Sequence, residues 1–109
     1  MDNTFKKISI IGLGLIGGSI GLATRRYDKK IHIQGFAKSQ LTLDIATSRG
    51  FVDEAFLNLR QIDSDTDLVI LASPLSTFKN IVEEILPFLK DGCVITDTCL
   101  LYTSDAADD

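Results

Sequence analysis

Hydrophobic residues fall into two kinds of segment that alternate along the chain. Four compact apolar runs have the length and the β-branched content of strands, at residues 7–11, 31–36, 67–73 and 93–97. No polar residue interrupts the third run between Leu68 and Ala72. A strand of that kind is buried on both faces, which is typical of a parallel sheet covered by helices.

The segments between these runs have helical periodicity. After Gly14, one apolar helix face is predicted by residues at steps of four, three and four: Ile16, Ile20, Ala23 and Tyr27. Residues 39–50 begin with a serine suited to cap a helix and end with a glycine. Residues 74–89 have a second apolar face, formed by Phe78, Ile81, Val82, Ile85 and Leu89. We therefore expect three helices.

Alternating strands and helices predict an α/β fold. We expect a Rossmann-type, doubly wound and mostly parallel sheet with helices on both faces. The stretch 51–66 is less regular, and only a short strand between Val52 and Phe56 is predicted there. The domain is expected to span residues 1–99. Residues 100–109 lack recognisable periodicity and are interpreted as a non-native or disordered tail, with a divergent natural terminus as the alternative.

Composition agrees with one globular domain, because 45% of the 109 residues are hydrophobic and 24% are charged. No apolar run approaches the roughly 20 residues that a membrane span needs. The N-terminus "MDNTFKK" lacks the order of a secretory signal. We therefore expect a cytoplasmic protein with no membrane partner.

Charge and cysteine spacing exclude two further classes of site. Without residues 100–109 the chain has 11 basic and 12 acidic residues, which gives no electrostatic footprint for nucleic acid. Cys93 and Cys99 do not have the spacing of metal ligands, so we expect free thiols and no metal site.

Glycines follow the first predicted strand with the spacing G-x-G-x-x-G, at Gly12, Gly14 and Gly17. The first permits a tight bend, the second lets the backbone approach a pyrophosphate, and the third lets a helix pack on the strand. The backbone of Leu15 and Ile16, at the start of that helix, would offer N–H groups to the phosphates. A glycine-rich turn without a ligand is the alternative, and Gly18 is interpreted as a helix-packing residue.

Ala37 lies twenty residues after Gly17, where an NAD site usually has a carboxylate for the ribose 2′-hydroxyl. No carboxylate there repels a 2′-phosphate, and Lys38 and Ser39 can donate hydrogen bonds to one. The sequence therefore predicts NADP as the cofactor, with NAD possible. The alternative is a solvated Lys38 preceding a helix whose N-cap is Ser39.

Four segments resemble, in order and spacing, the N-terminal half of prephenate and arogenate dehydrogenases: "IIGLGLIGGSIGLA", "GFAKS", "DLVILASPLSTF" and "LKDGCVITD". The resemblance covers residues 6–97. It implies an enzyme that oxidises prephenate or arogenate with NAD or NADP, coupled to decarboxylation, in tyrosine biosynthesis. Composition and periodicity by themselves reach only as far as dinucleotide binding.

The resemblance also implies further cofactor contacts after the strand at residues 67–73. In the family the loop that follows the strand at residues 67–73 lies along the cofactor. This assigns Ser73, Pro74 and Thr77 to the site. A serine that only caps the next helix is the alternative for Ser73. Asp97 ends the last strand at the edge where ligands of such sheets bind, and it is assigned either to the cofactor or substrate or to capping a turn.

After "ITD" the chain departs from the family pattern. The family continues with a Gly-Ser-Val-Lys-like segment, a catalytic histidine and a helical domain that forms a homodimer, whereas residues 98–109 read "TCLLYTSDAADD". The only histidine, His32, begins the second strand and is interpreted as a strand-end residue. We assign no catalytic residue and expect the chain as given to be inactive.

Two other functions stay open at this point. One is a dehydrogenase of the β-hydroxyacid or imine-reducing type, although those more often have a "GLGxMG" turn. The other is a nucleotide-sensing module that binds without catalysis.

Overall fold

The computed structural model describes residues 5–98, and for Leu15 and Ile16 it describes the backbone only. Five strands form one parallel sheet: β1 (Lys7–Ile11), β2 (His32–Phe36), β3 (Glu54–Phe56), β4 (Leu68–Leu71) and β5 (Val94–Asp97). Three helices accompany them: α1 (Leu15–Tyr27), α2 (Gln40–Ser48) and α3 (Phe78–Ile85). The predicted tail, residues 100–109, lies outside the described residues, so its interpretation stays a prediction.

The strand order is β3-β2-β1-β4-β5, with every neighbouring pair parallel. From β1 the chain proceeds through β2 to β3 on one side and then crosses to β4 on the other side of β1. This reversal leaves a crevice beyond the carboxyl ends of β1 and β4, the place where open α/β sheets bind ligands.

Both faces of the sheet are covered by helices. Alternate residues of β1 enter two separate cores, with Ile10 on the side of α1 and α2 and Ile11 on the side of α3. Leu43 of α2 belongs to the first core, and Ile85 of α3 is completely buried in the second. The predicted doubly wound α/β architecture is therefore confirmed.

The predicted apolar face of α1 is wrong at its far end. Tyr27 is 80% exposed and Ala23 is also exposed, whereas Gly17, Gly18 and Gly21 are buried. The prediction relied on the spacing of large apolar side chains, but the helix contacts the rest of the domain through its glycines. Side chains at those positions would keep α1 away from the sheet.

Two distances show how close this approach is. A Cβ atom added to Gly17 would lie 2.3 Å from the carbonyl oxygen of Gly12. One added to Gly21 would lie 2.5 Å from the carbonyl oxygen of Phe51. Real Cβ atoms do not come so near to backbone oxygen, so these positions require glycine for packing. At Gly18 the nearest neighbour is the Phe51 ring at 3.3 Å, in agreement with its interpretation as a packing residue.

The segment predicted as one helix at 74–89 is divided into three pieces. A 3-10 turn at Leu75–Thr77 precedes α3, and a second one at Leu86–Phe88 follows it. Pro87 contributes to the second break, because it has no N–H to donate to the carbonyl of the preceding helical turn. The predicted apolar face itself is confirmed, since its residues pack in the core around Ile85.

Asp67 ties three strands together at the amino edge of the sheet. Its carboxylate accepts hydrogen bonds from the backbone N–H groups of Lys6 and Lys7, at 2.8 and 3.0 Å, and from the Lys90 ammonium at 2.5 Å. The lysine and then the two amides hold the pKa of Asp67 at about 2, below the ordinary 3.8. The link joins β1 and β4 to the segment that leads into β5.

A buried polar cluster anchors the connection from β3 to β4. Ser9 of β1 is 1% exposed, and its hydroxyl donates to the side-chain carbonyl of Gln34 at 3.2 Å and lies 2.9 Å from the Thr66 hydroxyl. Gln34 in turn accepts from the backbone N–H of Asp63 at 2.8 Å. Because these groups satisfy one another, the crossover loop is held against the amino half of the sheet.

Replacing Gly21 with alanine is expected to destabilise the domain by about 1–3 kcal/mol, because the new methyl group meets the Phe51 carbonyl. Helix propensity by itself would make the alanine variant more stable by about 1 kcal/mol, whereas the close packing predicts that it is less stable than the parent. Urea unfolding measures the difference. Gly18→Ala is the matched control and should cost less, since a ring can shift; a stabilised Gly21→Ala protein would contradict the packing described.

Replacing Asp67 with asparagine is expected to destabilise the domain at pH 7, because the Lys6 and Lys7 amides and the Lys90 ammonium lose their charged acceptor. Because the folded pKa lies below the unfolded one, this stabilisation is present above about pH 4–5 and disappears as the pH falls toward 2. Thermal unfolding of both proteins between pH 7 and pH 2 should therefore show converging stabilities. Asp91→Asn, which alters an exposed carboxylate, serves as the control. A stability difference between the parent and Asp67→Asn that did not change with pH would contradict the role given to the Asp67 carboxylate.

Candidate functional site

A groove of about 800 Å³ lies at the carboxyl ends of β1, β2 and β4. Its floor is the loop that follows β1, and its walls come from the loops after β2, β3 and β4 and from one side of α3. Among the described residues that line it, only Lys38 and Glu84 are charged. The groove is therefore a mostly apolar cleft with a few polar groups, as small-molecule sites usually are.

Gly12 makes the bend that opens this groove. Its φ of +97° lies in the region that disfavours residues with a side chain, and a Cβ there would lie 2.8 Å from the backbone nitrogen of Ser73. The N–H groups of Gly12 and Leu13 both donate to the carbonyl of Phe36, at 2.8 and 3.1 Å. The ends of β1, β2 and β4 consequently meet around one glycine.

Gly14 occupies the N-cap position of α1 in an extended conformation, and a Cβ added to it would have nothing within 4 Å. In the described part of the chain, no side chain caps this helix and no acidic residue lies in its first turn. The first N–H groups of a helix have no partner within the helix, and its dipole makes this end positive. Open space beside such donors fits a pyrophosphate.

Gly17, the third glycine of the motif, contacts the loop on the side away from the groove. Gly17 packs against the carbonyl of Gly12 and does not line the groove. Leu15 and Ile16 lie in the first turn of α1, where the structure describes their backbone only. Their predicted contribution is through the backbone and stays a prediction.

The predicted ribose-binding residues lie together after β2. Ala37, Lys38 and Ser39 all line the groove, and Lys38 and Ser39 are exposed. Within residues 5–98, the Lys38 ammonium forms no ion pair. Ser39 is the N-cap of α2, but its oxygen accepts from Thr42 N–H at a long 3.5 Å. Capping and ligand binding are thus compatible at Ser39.

The opposite wall contains Ser73, Pro74 and Thr77. The Thr77 hydroxyl is 2.6 Å from the Pro74 carbonyl and 3.0 Å from the Ser73 hydroxyl, so the loop after β4 is internally braced. Asp97 ends β5 opposite Leu71, at the same edge of the sheet, but it does not line the groove. Its proposed contact with the ligand stays a prediction.

The sequence did not reveal the outer part of the groove. This part is formed by residues after β3 and on α3, namely Leu57, Asn58, Leu59, Asn80, Ile81 and Glu84, together with Thr42 of α2. The irregular stretch after β3 gave no local signal. Asn80 and Glu84 lie on the polar side of an amphipathic helix, where the sequence pattern resembles that of a solvent-exposed face.

The single histidine lies at the other edge of the sheet. His32 begins β2, and its Nε2 is 3.0 Å from a Glu54 oxygen, a contact that lowers the pKa of the Glu54 carboxyl. Among the described residues no group of three or more histidine, cysteine and acidic side chains is arranged to hold a metal ion. None of the described helices has the length and hydrophobicity of a membrane-spanning segment. The groove offers binding and orientation, without an imidazole for acid–base chemistry.

The family model described as "Prephenate dehydrogenase, nucleotide-binding domain" matches residues 20–101. The chain is 40% identical over 93 residues to prephenate dehydrogenase of Lactococcus lactis. The aligned region covers 84% of this chain and 26% of that protein. Its structure resembles that of Aquifex aeolicus prephenate dehydrogenase in complex with hydroxyphenyl propionate and NAD+, with a TM-score of 0.85 and 26% identity over 90% of this chain and 35% of the other. It also resembles Synechocystis arogenate dehydrogenase, with a TM-score of 0.76 and 31% identity over 84% of this chain and 32% of the other.

The chain thus spans about a third or less of the length of these relatives. The family match, residues 20–101, includes most of the described sheet and helices. The chain therefore belongs to the prephenate dehydrogenase family, in which it corresponds to the NAD(P)-binding domain.

Proposed function

We propose that the groove holds the dinucleotide with its pyrophosphate on the loop Gly12–Gly14. The observation that carries this proposal is the open space at Gly14 beside the uncapped start of α1. Backbone donors and the positive end of a helix dipole attract a pyrophosphate without a charged side chain. The buried contact at Gly17 keeps those donors in place.

The two halves of the cofactor extend in opposite directions from this loop. The adenosine ribose lies near Ala37–Ser39 after β2, and the nicotinamide half extends toward Ser73 and the end of β5. When bound, the nicotinamide ring supplies the acceptor for a hydride. The residues of this domain orient that ring and leave proton transfer to groups elsewhere in the protein.

We further propose that the complete protein oxidises prephenate or arogenate with loss of carbon dioxide. Support comes from the relatives, which are named prephenate and arogenate dehydrogenases. The catalytic histidine and the homodimer would belong to a helical part of such a protein. A cytoplasmic location stays a prediction.

A protein that joins this domain to the remainder of an enzyme of its relatives' length should form NADPH, measured at 340 nm, with prephenate or arogenate. Gly14→Ala should lose dinucleotide binding and activity, because its methyl group fills the space proposed for the phosphate. Its melting temperature should stay within about a degree or two, since the new Cβ meets no atom. Activity with neither substrate would refute the reaction, and unchanged binding by Gly14→Ala would refute the phosphate site.

The cofactor preference is proposed to be for NADP. Ala37 provides no carboxylate to repel a 2′-phosphate, and the groove contains Lys38 at the same end of β2, whose ammonium has no ion pair within residues 5–98. Ser39 adds a hydroxyl whose bond to Thr42 is long enough to yield to a ligand. Lysine binds phosphate as a point charge without the fork of arginine, so NAD should still bind.

Titrations of the chain with NADP and NAD should show tighter binding of NADP. Lys38→Ala should weaken NADP binding about tenfold or more and leave NAD binding unchanged, the size expected of one charge-assisted hydrogen bond. Ala37→Asp should favour NAD. Lys29→Ala changes an exposed lysine away from the groove and is the control. Equal affinities in the parent chain, or NADP binding that survives Lys38→Ala intact, would contradict this assignment.

A further inference from the structure

Helix cover on the α1 side of the sheet decreases from β1 to β5. The strand register places Ile8, Leu68 and Val94 in one row on this side, across β1, β4 and β5. Ile8 is 5% exposed, Leu68 is half-buried and Val94 is 47% exposed. In the next row Ile70 is nearly buried and Thr96 is exposed. Among residues 5–98, no element therefore covers this side of β5.

The opposite side of the same two strands is covered. Val69 and Leu71 of β4 are 0% and 3% exposed, and Ile95 of β5 packs with them in the core around Ile85 of α3. The edge position of β5 by itself thus does not explain the exposure of Val94. The two sides differ because α3 packs on β4 and β5 on one side, and the described chain has no counterpart of α3 on the other.

The apolar stripe of α1 borders this uncovered strip of the sheet. Gly18 lies against the ring of Phe51, which follows α2, so that side of α1 faces α2. At about 100° per residue, Ile20 and Tyr27 lie about 200° and 180° from Gly18, on the side of the helix that faces β4. Ile20 is half-buried and Tyr27 is 80% exposed. The sequence periodicity of α1 therefore produces an apolar stripe that residues 5–98 leave largely exposed.

The uncovered strip has the width of a single helix. Leu68, Ile70, Val94 and Thr96 define it as the β4–β5 face, and none of these side chains is charged. Neighbouring strands are about 4.8 Å apart, so two of them present a width of about 10 Å, which is the diameter of a helix. A helix satisfies its own backbone hydrogen bonds, whereas a strand laid on the face of a sheet leaves them unpaired. An apolar helix beside α1 therefore fits this face.

The relatives indicate where such a helix comes from. This chain matches 26% of the Lactococcus lactis enzyme, 35% of the Aquifex aeolicus enzyme and 32% of the Synechocystis enzyme. Proteins of that length have a large remainder beyond this domain, and the remainder needs a surface of the domain to pack on. The uncharged β4–β5 face offers one, and it is bordered by β5, the last strand that the structure describes.

We propose that the β4–β5 face is the docking surface for an apolar helix from the remainder of the complete protein. The docked helix lies beside α1 and buries Val94, Thr96 and the exposed ring of Tyr27. None of these three residues lines the groove at the carboxyl edge. The docking surface is thus separate from the dinucleotide site, and it does not depend on how that site binds its ligand.

Thiol labelling measures whether the face is covered. Thr96→Cys, in a chain whose Cys93 and Cys99 are replaced with serine, should react with dithionitrobenzoate about as fast as Ser48→Cys, because both positions are exposed. In a protein that joins this domain to the remainder of the Lactococcus lactis enzyme, Thr96→Cys should react at least about tenfold more slowly, since labelling then requires local opening. Ser48→Cys, at the end of α2, is the control and should keep its rate.

Thermal unfolding of Val94→Lys gives a second readout. In the chain by itself the melting temperature should change by only about a degree or two, because lysine is well tolerated at an exposed sheet edge. In the joined protein the loss should be at least about 5 °C, because the docked helix would bury the ammonium group. Leu41→Lys changes a residue of α2 that is 68% exposed and should have the same effect in both proteins.

Three results would overturn the inference. Slow labelling of Thr96→Cys in the monomeric chain would show that the chain covers the face itself, and slow labelling in a dimer would assign the face to a second copy. Fast labelling in the joined protein, with equal effects of Val94→Lys in both proteins, would leave the face without a partner. If the joined protein does not fold, the remainder added as a separate protein should produce the same tenfold protection of Thr96→Cys, and its failure to do so counts against the proposal.

Discussion

The close contact between α1 and the end of β1 determines the rest of the site. The Gly12 carbonyl occupies the space that a side chain at Gly17 would need, at 2.3 Å from the position of its Cβ. Gly12 bends with a positive φ, and the close contact lets α1 begin beside the carboxyl edge of the sheet. Glycine costs stability in a helix, and the need to present the first N–H groups of α1, which have no partner within the helix, at this edge explains why the cost is tolerated.

The two edges of the sheet have opposite roles. At the amino edge, hydrogen bonds of Asp67 and of the cluster around Ser9 and Gln34 hold the strands and the crossover loop together. At the carboxyl edge, no ion pair among the described residues involves the Lys38 ammonium, and the first N–H groups of α1 have no partner within the helix. Stability is thus concentrated at one edge, and the other is left available for a ligand.

Local sequence signals predicted the strands, the helix limits to within a few residues and the glycine loop, because each depends on neighbours in the chain. The prediction of the buried face of α1 was wrong because it used the spacing of apolar side chains. In the structure the closest contacts of the helix are made at Gly17 and Gly21 instead. The outer groove escaped prediction for a different reason. Leu57 and Glu84 approach the same cleft only through the crossover from β3 to β4, a long-range feature with no local pattern. The preference for NADP stays a prediction from Ala37 and Lys38.

The central claim is that the Gly12–Gly14 loop, the first turn of α1 and the adjoining carboxyl edge hold the dinucleotide. Amide chemical shifts followed by 1H–15N NMR during a titration of the chain with NADP test it most directly, because each backbone N–H reports separately. The account predicts the largest changes at residues 12–17, smaller ones at 37–39 and 57–59, and little change at residues 63–67 of the amino edge. Changes that are largest at residues 63–67, or no saturable change in the glycine loop, would contradict it.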